Sequence, residues 1–121
     1  MSKRILVVDD DAMNLRMAEM LLQKKGYEVQ KAASGQEALA FLETETVDLI
    51  LLDVEMPGMS GIQTLEAIRT REELAGIRIL FLSASEDMES AVEKGEYAVD
   101  GFVKKPFLPQ KLYDQVERVI G

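Results

Sequence analysis

The segment Val47-Asp48-Leu49-Ile50-Leu51-Leu52-Asp53 sets four consecutive aliphatic residues directly before a carboxylate. A strand with one wet face would alternate apolar and polar residues. An unbroken aliphatic run of this length fits a strand covered on both faces, as in a parallel sheet. Working outward, four further apolar runs of strand length occupy residues 5–8, 27–32, 77–82 and 101–103. Segments of helical periodicity lie between and after them, at about 12–25, 35–44, 61–74, 87–98 and 108–120. Strands alternating with helices predict βαβ units and an α/β fold with helices on both faces of the sheet. The punctuation agrees. Lys24-Lys25-Gly26 closes the first helix, Pro57-Gly58 and Gly61 mark a loop before the third, and Pro106 ends the fifth strand. There is no internal repeat, low-complexity tract or linker. Five βα units fill residues 1–121, which predicts a single domain.

Composition removes whole classes of chemistry. The chain has no cysteine and no histidine. Disulfides, thiolate nucleophiles, Ser-His-Asp triads and zinc sites built on Cys or His are therefore excluded. A bound metal must use oxygen ligands, which selects hard cations such as Mg²⁺ or Ca²⁺. The net charge of −8, from 14 Lys+Arg against 22 Asp+Glu, argues against direct binding to nucleic acid or an anionic membrane. No signal peptide or membrane span is legible at the N-terminus, so a cytoplasmic location is expected.

In an open α/β sheet, ligands bind beyond the carboxyl ends of the strands. The first run is followed by Asp9-Asp10-Asp11, the third by Asp53, the fourth by Ser83 and the fifth by Lys104-Lys105-Pro106. The second ends blandly, at Ala32-Ala33-Ser34. Taken singly, Asp11 reads as a helix cap, Ser83 as a turn hydroxyl and Lys105 as a solvated lysine. Taken together, the carboxylates, hydroxyl and ammonium converge on one sheet edge. Crowded carboxylates repel unless a cation neutralises them. The constellation asks for a divalent metal and for an anion facing the lysine.

Four blocks, ILVVDD (5–10), LLDVEMPGMSG (51–61), FLSA (81–84) and VKKPF (103–107), resemble the receiver domains of bacterial two-component response regulators in order and spacing. The resemblance covers the whole chain. It implies a flavodoxin-like (βα)5 fold with strand order 2-1-3-4-5, a CheY-like single receiver domain. Carried over by position, it makes Asp53 the phosphorylation site. Asp10 becomes the direct Mg²⁺ ligand, Asp9 acts on the metal largely through water, and Glu55 offers the metal its backbone carbonyl. Ser83 and Lys105 complete the catalytic set, and a cis Lys105–Pro106 bond is expected. Ser83 and Phe102 are the implied switch residues, Phe102 standing where the family often has tyrosine. Gly95 falls inside the predicted fourth helix, which it should weaken by ~1 kcal/mol relative to Ala.

The resemblance further implies that the chain catalyses its own phosphorylation and slow dephosphorylation, without turnover of an independent substrate. Because the chain lacks histidine, the phosphohistidine donor must lie on a partner, a sensor histidine kinase or a histidine phosphotransfer protein. An output domain or protein would receive the signal. Rival readings fit less well. An FMN binder needs a Ser/Thr/Gly-rich phosphate loop after the first strand, where this chain has three Asp residues. A haloacid-dehalogenase-type phosphatase carries its nucleophile on the first strand, with Asp two residues later; here the acid follows the third, with Glu55 two residues on. A module that has lost phosphorylation would not keep every site residue. Finally, Met13, Leu15, Met17, Ala18, Met20, Leu21 and Leu22 span roughly 220° of the first helix, more than one sheet contact covers. Either the stripe is shared between the sheet and the fifth helix, or part of that Met-rich surface stays exposed as a docking face for the donor.

Overall fold

The computed structural model describes residues 2–121. Its elements follow in the order β1 (Arg4–Val8), α1 (Ala12–Lys24), β2 (Glu28–Ala32), α2 (Gly35–Thr44), β3 (Leu49–Asp53), α3 (Gly61–Thr70), β4 (Arg78–Ser83), α4 (Glu86–Glu93), β5 (Gly101–Lys104) and α5 (Pro109–Ile120), with a 3-10 turn at Glu72–Leu74. The five strands form one parallel sheet in the order β2-β1-β3-β4-β5. This is the architecture the sequence predicts. None of the described helices is long and apolar enough to cross a membrane.

Period-two alternation along the central strands divides the core into two layers. Ile5, Val7, Leu49, Leu51, Leu80 and Leu82 face α1 and α5, where they meet Leu15, Ala18, Leu22, Leu112, Val116 and Val119. Leu6, Val8, Ile50, Leu52, Ile79 and Phe81 face the opposite layer, where Ala38 and Leu42 of α2 and Leu65 and Ile68 of α3 cover them. Burial of each large aliphatic side chain contributes about 1.5–3 kcal/mol before entropy is counted. The aliphatic runs therefore hold β1, β3 and β4 at the centre. The site edge inherits that rigidity.

Capping sets the helix boundaries. Asp11 accepts hydrogen bonds from Met13 N and Asn14 N, so it is the α1 cap expected of it. Gly26, at φ +91°, ends α1 with hydrogen bonds from Gly26 N to Gln23 O and from Tyr27 N to Leu22 O. Ser60 and Gln63 form a reciprocal capping box on α3.

Two helices are shorter than expected. The 61–74 helix stops at Thr70, because Arg71 is extended (φ −88°, ψ 118°), and its last residues form the separate 3-10 turn. The 87–98 helix runs only from Glu86 to Glu93. Gly95 is thus not inside α4. It has φ +76° and terminates the helix, with Gly95 N bonded to Val92 O and Glu96 N to Ala91 O. The expected weakening is replaced by a stop signal that only glycine adopts freely. No residue of α4 is fully buried; Met88 and Val92 pack half-buried on the core.

Gly61, the first residue of α3, lies against the backbone of the β3 exit. A Cβ there would overlap the carbonyl oxygen of Asp53 and the Cα of Val54. Gly76 has open space around it. Gly61→Ala should therefore destabilise the fold by about 1–3 kcal/mol through overpacking, while Gly76→Ala stays within about 0.5 kcal/mol of the parent. Urea unfolding of the two variants beside the parent measures the contrast; equal midpoints for all three would contradict it.

Candidate functional site

Strand register brings the polar residues together. Val8 pairs with Leu52, Asp53 with Leu82 and Ser83 with Lys104. Asp9, Asp53, Ser83 and Lys105 consequently emerge side by side at the carboxyl edge of the sheet, on both sides of the point where strand order reverses between β1 and β3. Asp9, Asp53 and Ser83 are almost completely buried, at 1%, 1% and 0% exposure. Asp10 and Glu55 are exposed, and Lys105 is half-buried.

Lys105 Nζ lies 2.8 Å from Asp9 Oδ2 and 3.0 Å from Asp53 Oδ1. Lys104 points elsewhere, to an exposed pairing with Glu86 at 3.5 Å. Lys105 thus faces the two acids while Lys104 does not, and the Lys105–Pro106 bond is cis. Asp53 Oδ1 also accepts from Glu55 N at 3.2 Å. Asp9 Oδ1 accepts from Asp11 N at 2.9 Å. Its Oδ2, although close to the ammonium, is buried without a properly oriented hydrogen bond.

The charge balance follows from these distances. Burial pushes the Asp53 carboxyl up to about 7; Lys105 opposes that rise, and Asp9 adds to it. Burial alone would lower Lys105, but the carboxylates of Asp9 and Asp53 hold it above the ordinary lysine value.

A hard divalent cation fits the donors present. Oxygen atoms of Asp9, Asp10 and Asp53 all lie within 4.8 Å of one another. Asp9 carries the incompletely satisfied Oδ2, and every donor in the cluster is a carboxylate oxygen. The carboxylate of Glu55 is not part of that cluster. It accepts the Ser83 hydroxyl, with Oγ at 2.8 Å from each of its oxygens. Sequence reading gave Glu55 only a backbone role and did not foresee this contact, because a side-chain rotamer leaves no periodic trace. Phe102 is half-buried on the layer that contains Phe81. Met13, Met17 and Met20 are 76%, 44% and 61% exposed, so the Met-rich surface expected on the first helix is present.

This fold and this acidic edge define a signalling module, and comparison with known proteins gives the family. Residues 5–117 match the response regulator receiver domain, and the chain belongs to that family of two-component signalling proteins. It is 33% identical to the chemotaxis protein CheY of Pseudomonas aeruginosa over 117 residues, which is 96% of this chain and 94% of that protein. It is 35% identical to the alkaline phosphatase synthesis transcriptional regulatory protein PhoP of Bacillus subtilis over 120 residues, 99% of this chain. There the chain spans about half of the relative, 49% of its length. Among solved structures, the chemotaxis protein CheY4 of Vibrio cholerae superposes with a TM-score of 0.91 at 34% identity, covering 99% of this chain and all of that one.

The raised Asp53 carboxyl has a stability consequence. The native protein keeps a proton on Asp53 after the unfolded chain, titrating near 3.8, has lost it. Stability is therefore lost as pH rises from about 3.8 to about 7, and the loss is constant above. Asp53→Asn removes this penalty. Without divalent cations its melting temperature should exceed the parent's by roughly 5 °C above neutrality and converge with it in acid. Scanning calorimetry across pH measures the difference; a gain that grew toward low pH would reverse the sign.

Proposed function

We propose that Asp53 accepts a phosphoryl group from a phosphohistidine on a partner protein, in a reaction that needs Mg²⁺. The observation that carries this reading is the buried Asp53 carboxylate with Lys105 Nζ at 3.0 Å, beside two further acids. Lys105 and Glu55 N both engage Oδ1, which leaves Oδ2 outside these contacts as the nucleophile. Oδ2 attacks phosphorus in line, the P–N bond breaks, and its electron pair returns to the imidazole nitrogen, which takes up a proton. The product is an aspartyl phosphate. Lys105 orients one phosphoryl oxygen and offsets its charge. Asp9, Asp10, Asp53 and the Glu55 carbonyl would hold Mg²⁺, which when bound supplies positive charge to the carboxylates and the phosphoryl oxygens. The same residues serve slow loss of the phosphoryl group to water; no independent substrate is turned over. Movement of Ser83 toward the phosphoryl group and repacking of Phe102 would carry the signal to an output domain or protein. The cytoplasm is the setting for such an exchange with a kinase.

The exposed stripe of Met13, Met17 and Met20 on α1 is the proposed landing surface for the histidine-bearing partner. Methionine suits a helical partner surface because it is flexible and polarizable.

Two outcomes test this reading. With acetyl phosphate and Mg²⁺, intact-mass measurement should find one added phosphoryl group on the parent and on Lys104→Ala. Asp53→Asn should gain none, and Lys105→Ala should be impaired at least tenfold, since charge on a phosphoryl oxygen is worth several kcal/mol in such sites. Labelling of Asp53→Asn at the parent level would end the proposal. Separately, Met13→Glu with Met17→Glu should slow transfer from a phosphorylated histidine kinase domain while labelling by acetyl phosphate stays normal. Unchanged transfer would remove α1 as the landing surface.

A further inference from the structure

We propose that Glu55 is a positioning residue that holds Ser83 in its unphosphorylated orientation, so that the phosphoryl group must compete with Glu55 for the Ser83 proton. The inference rests on the phosphoacceptor reading above and assigns the Glu55 side chain a task beyond its backbone.

Ser83 has one hydroxyl proton and two acceptor positions. The proton is directed at the Glu55 carboxylate, whose two oxygens are both 2.8 Å from Oγ. On its acceptor side, Oγ takes the amide proton of Ser85 at 3.0 Å. Ser85 in turn caps α4, its own Oγ accepting from Met88 N at 3.2 Å. A continuous chain thus runs from Glu55 through Ser83 to the first turn of α4. Ser83 is fully buried and Glu55 exposed, so the contact lies at the boundary between the core and solvent. A hydrogen bond to an ionised acceptor is stronger than one between neutral groups. Glu55 also touches the acceptor residue, its backbone N–H donating a hydrogen bond to Asp53 Oδ1 at 3.2 Å. One residue therefore bridges the phosphoacceptor and the hydroxyl that would answer it. To donate to a phosphoryl oxygen, Ser83 must leave Glu55, and the Ser85 amide at the α4 cap must adjust.

The test uses the full chain, with beryllofluoride plus Mg²⁺ as the phosphoryl mimic. In the protein free of both, NMR should show a single Ser83 χ1 rotamer in the parent. Rotamer averaging and a displaced Ser85 amide signal should appear in Glu55→Ala. Glu55→Gln, which keeps an acceptor oxygen without the charge, should restore the parent rotamer in part. Beryllofluoride affinity should rise roughly tenfold in Glu55→Ala. In a Ser83→Ala background the same substitution should raise it much less, since the competing proton is gone. An equal gain with and without the hydroxyl would mean that Glu55 acts only by repelling the anion, and would overturn the proposal. So would a Ser83 rotamer indifferent to residue 55. A parent that ignored beryllofluoride would remove the phosphoacceptor reading itself. A parent that responded, with Glu55→Ala identical to it, would remove only the role of Glu55.

Discussion

One ammonium group faces two buried carboxylates, and the functional edge of this domain is organised around that imbalance. Asp9 and Asp53 are both about 1% exposed, and Lys105 lies within 3.0 Å of each. Removing one partner from a buried charge cluster typically costs about 3–5 kcal/mol, because the remaining charge is left uncompensated. The cluster exists only because three strands deliver their ends to the same place. β1 and β3 are neighbours in the sheet, and β5 reaches the site from beyond β4. The hydrophobic layers above and below hold these strand ends close in spite of their repulsion. Folding free energy from aliphatic burial thus sustains an electrostatically unfavourable arrangement, as functional sites commonly require.

Much of this was legible in the residues. Leu49 to Leu52 announced a strand covered on both faces, and the polar residue after each of four apolar runs announced the edge. That inference works because parallel strands all end on one side, so residues distant in sequence need only share a position relative to their strands. Helix ends were less legible. No Gly or Pro stands between Ile62 and Ala75 to mark a break, and the 3-10 turn that buries Leu74 in the same layer follows Thr70 after the single extended residue Arg71. Lys94-Gly95 carries the same closing signal as Lys25-Gly26, yet Tyr97 and Val99 after it are apolar and packed on the core, and they mimic a further helical turn. The Glu55 carboxylate was illegible for a different reason. Its partner depends on side-chain torsions at an exposed loop position, and neither propensity nor periodicity encodes them.

The ties around α4 are unequal along its length. Its N-terminal cap is joined by Ser85 to Ser83, and the segment beyond its C-terminus is fastened by side chains from elsewhere. Arg69 donates to Ala98 O at 2.7 and 3.0 Å, and Arg118 donates to Asp100 O at 2.7 Å. Between these fixed ends the helix has only half-buried apolar contacts. Displacing such an element sacrifices little packing, which is the condition for a small change at one hydroxyl to be felt beyond it.

The shallow seating of α4 also bears on how a lineage of such domains diversifies. Core helices such as α1 and α5 are constrained on one face by the volumes they fill, so substitutions there are screened by folding. With no fully buried residue, α4 escapes most of that screening. Its acidic exterior, with Glu86, Asp87, Glu89 and Glu93 in a single short helix, can be rewritten at little cost to the fold. The surface of this helix can therefore drift independently of the buried sheet edge, and related domains can come to present different faces to other proteins while that edge stays the same.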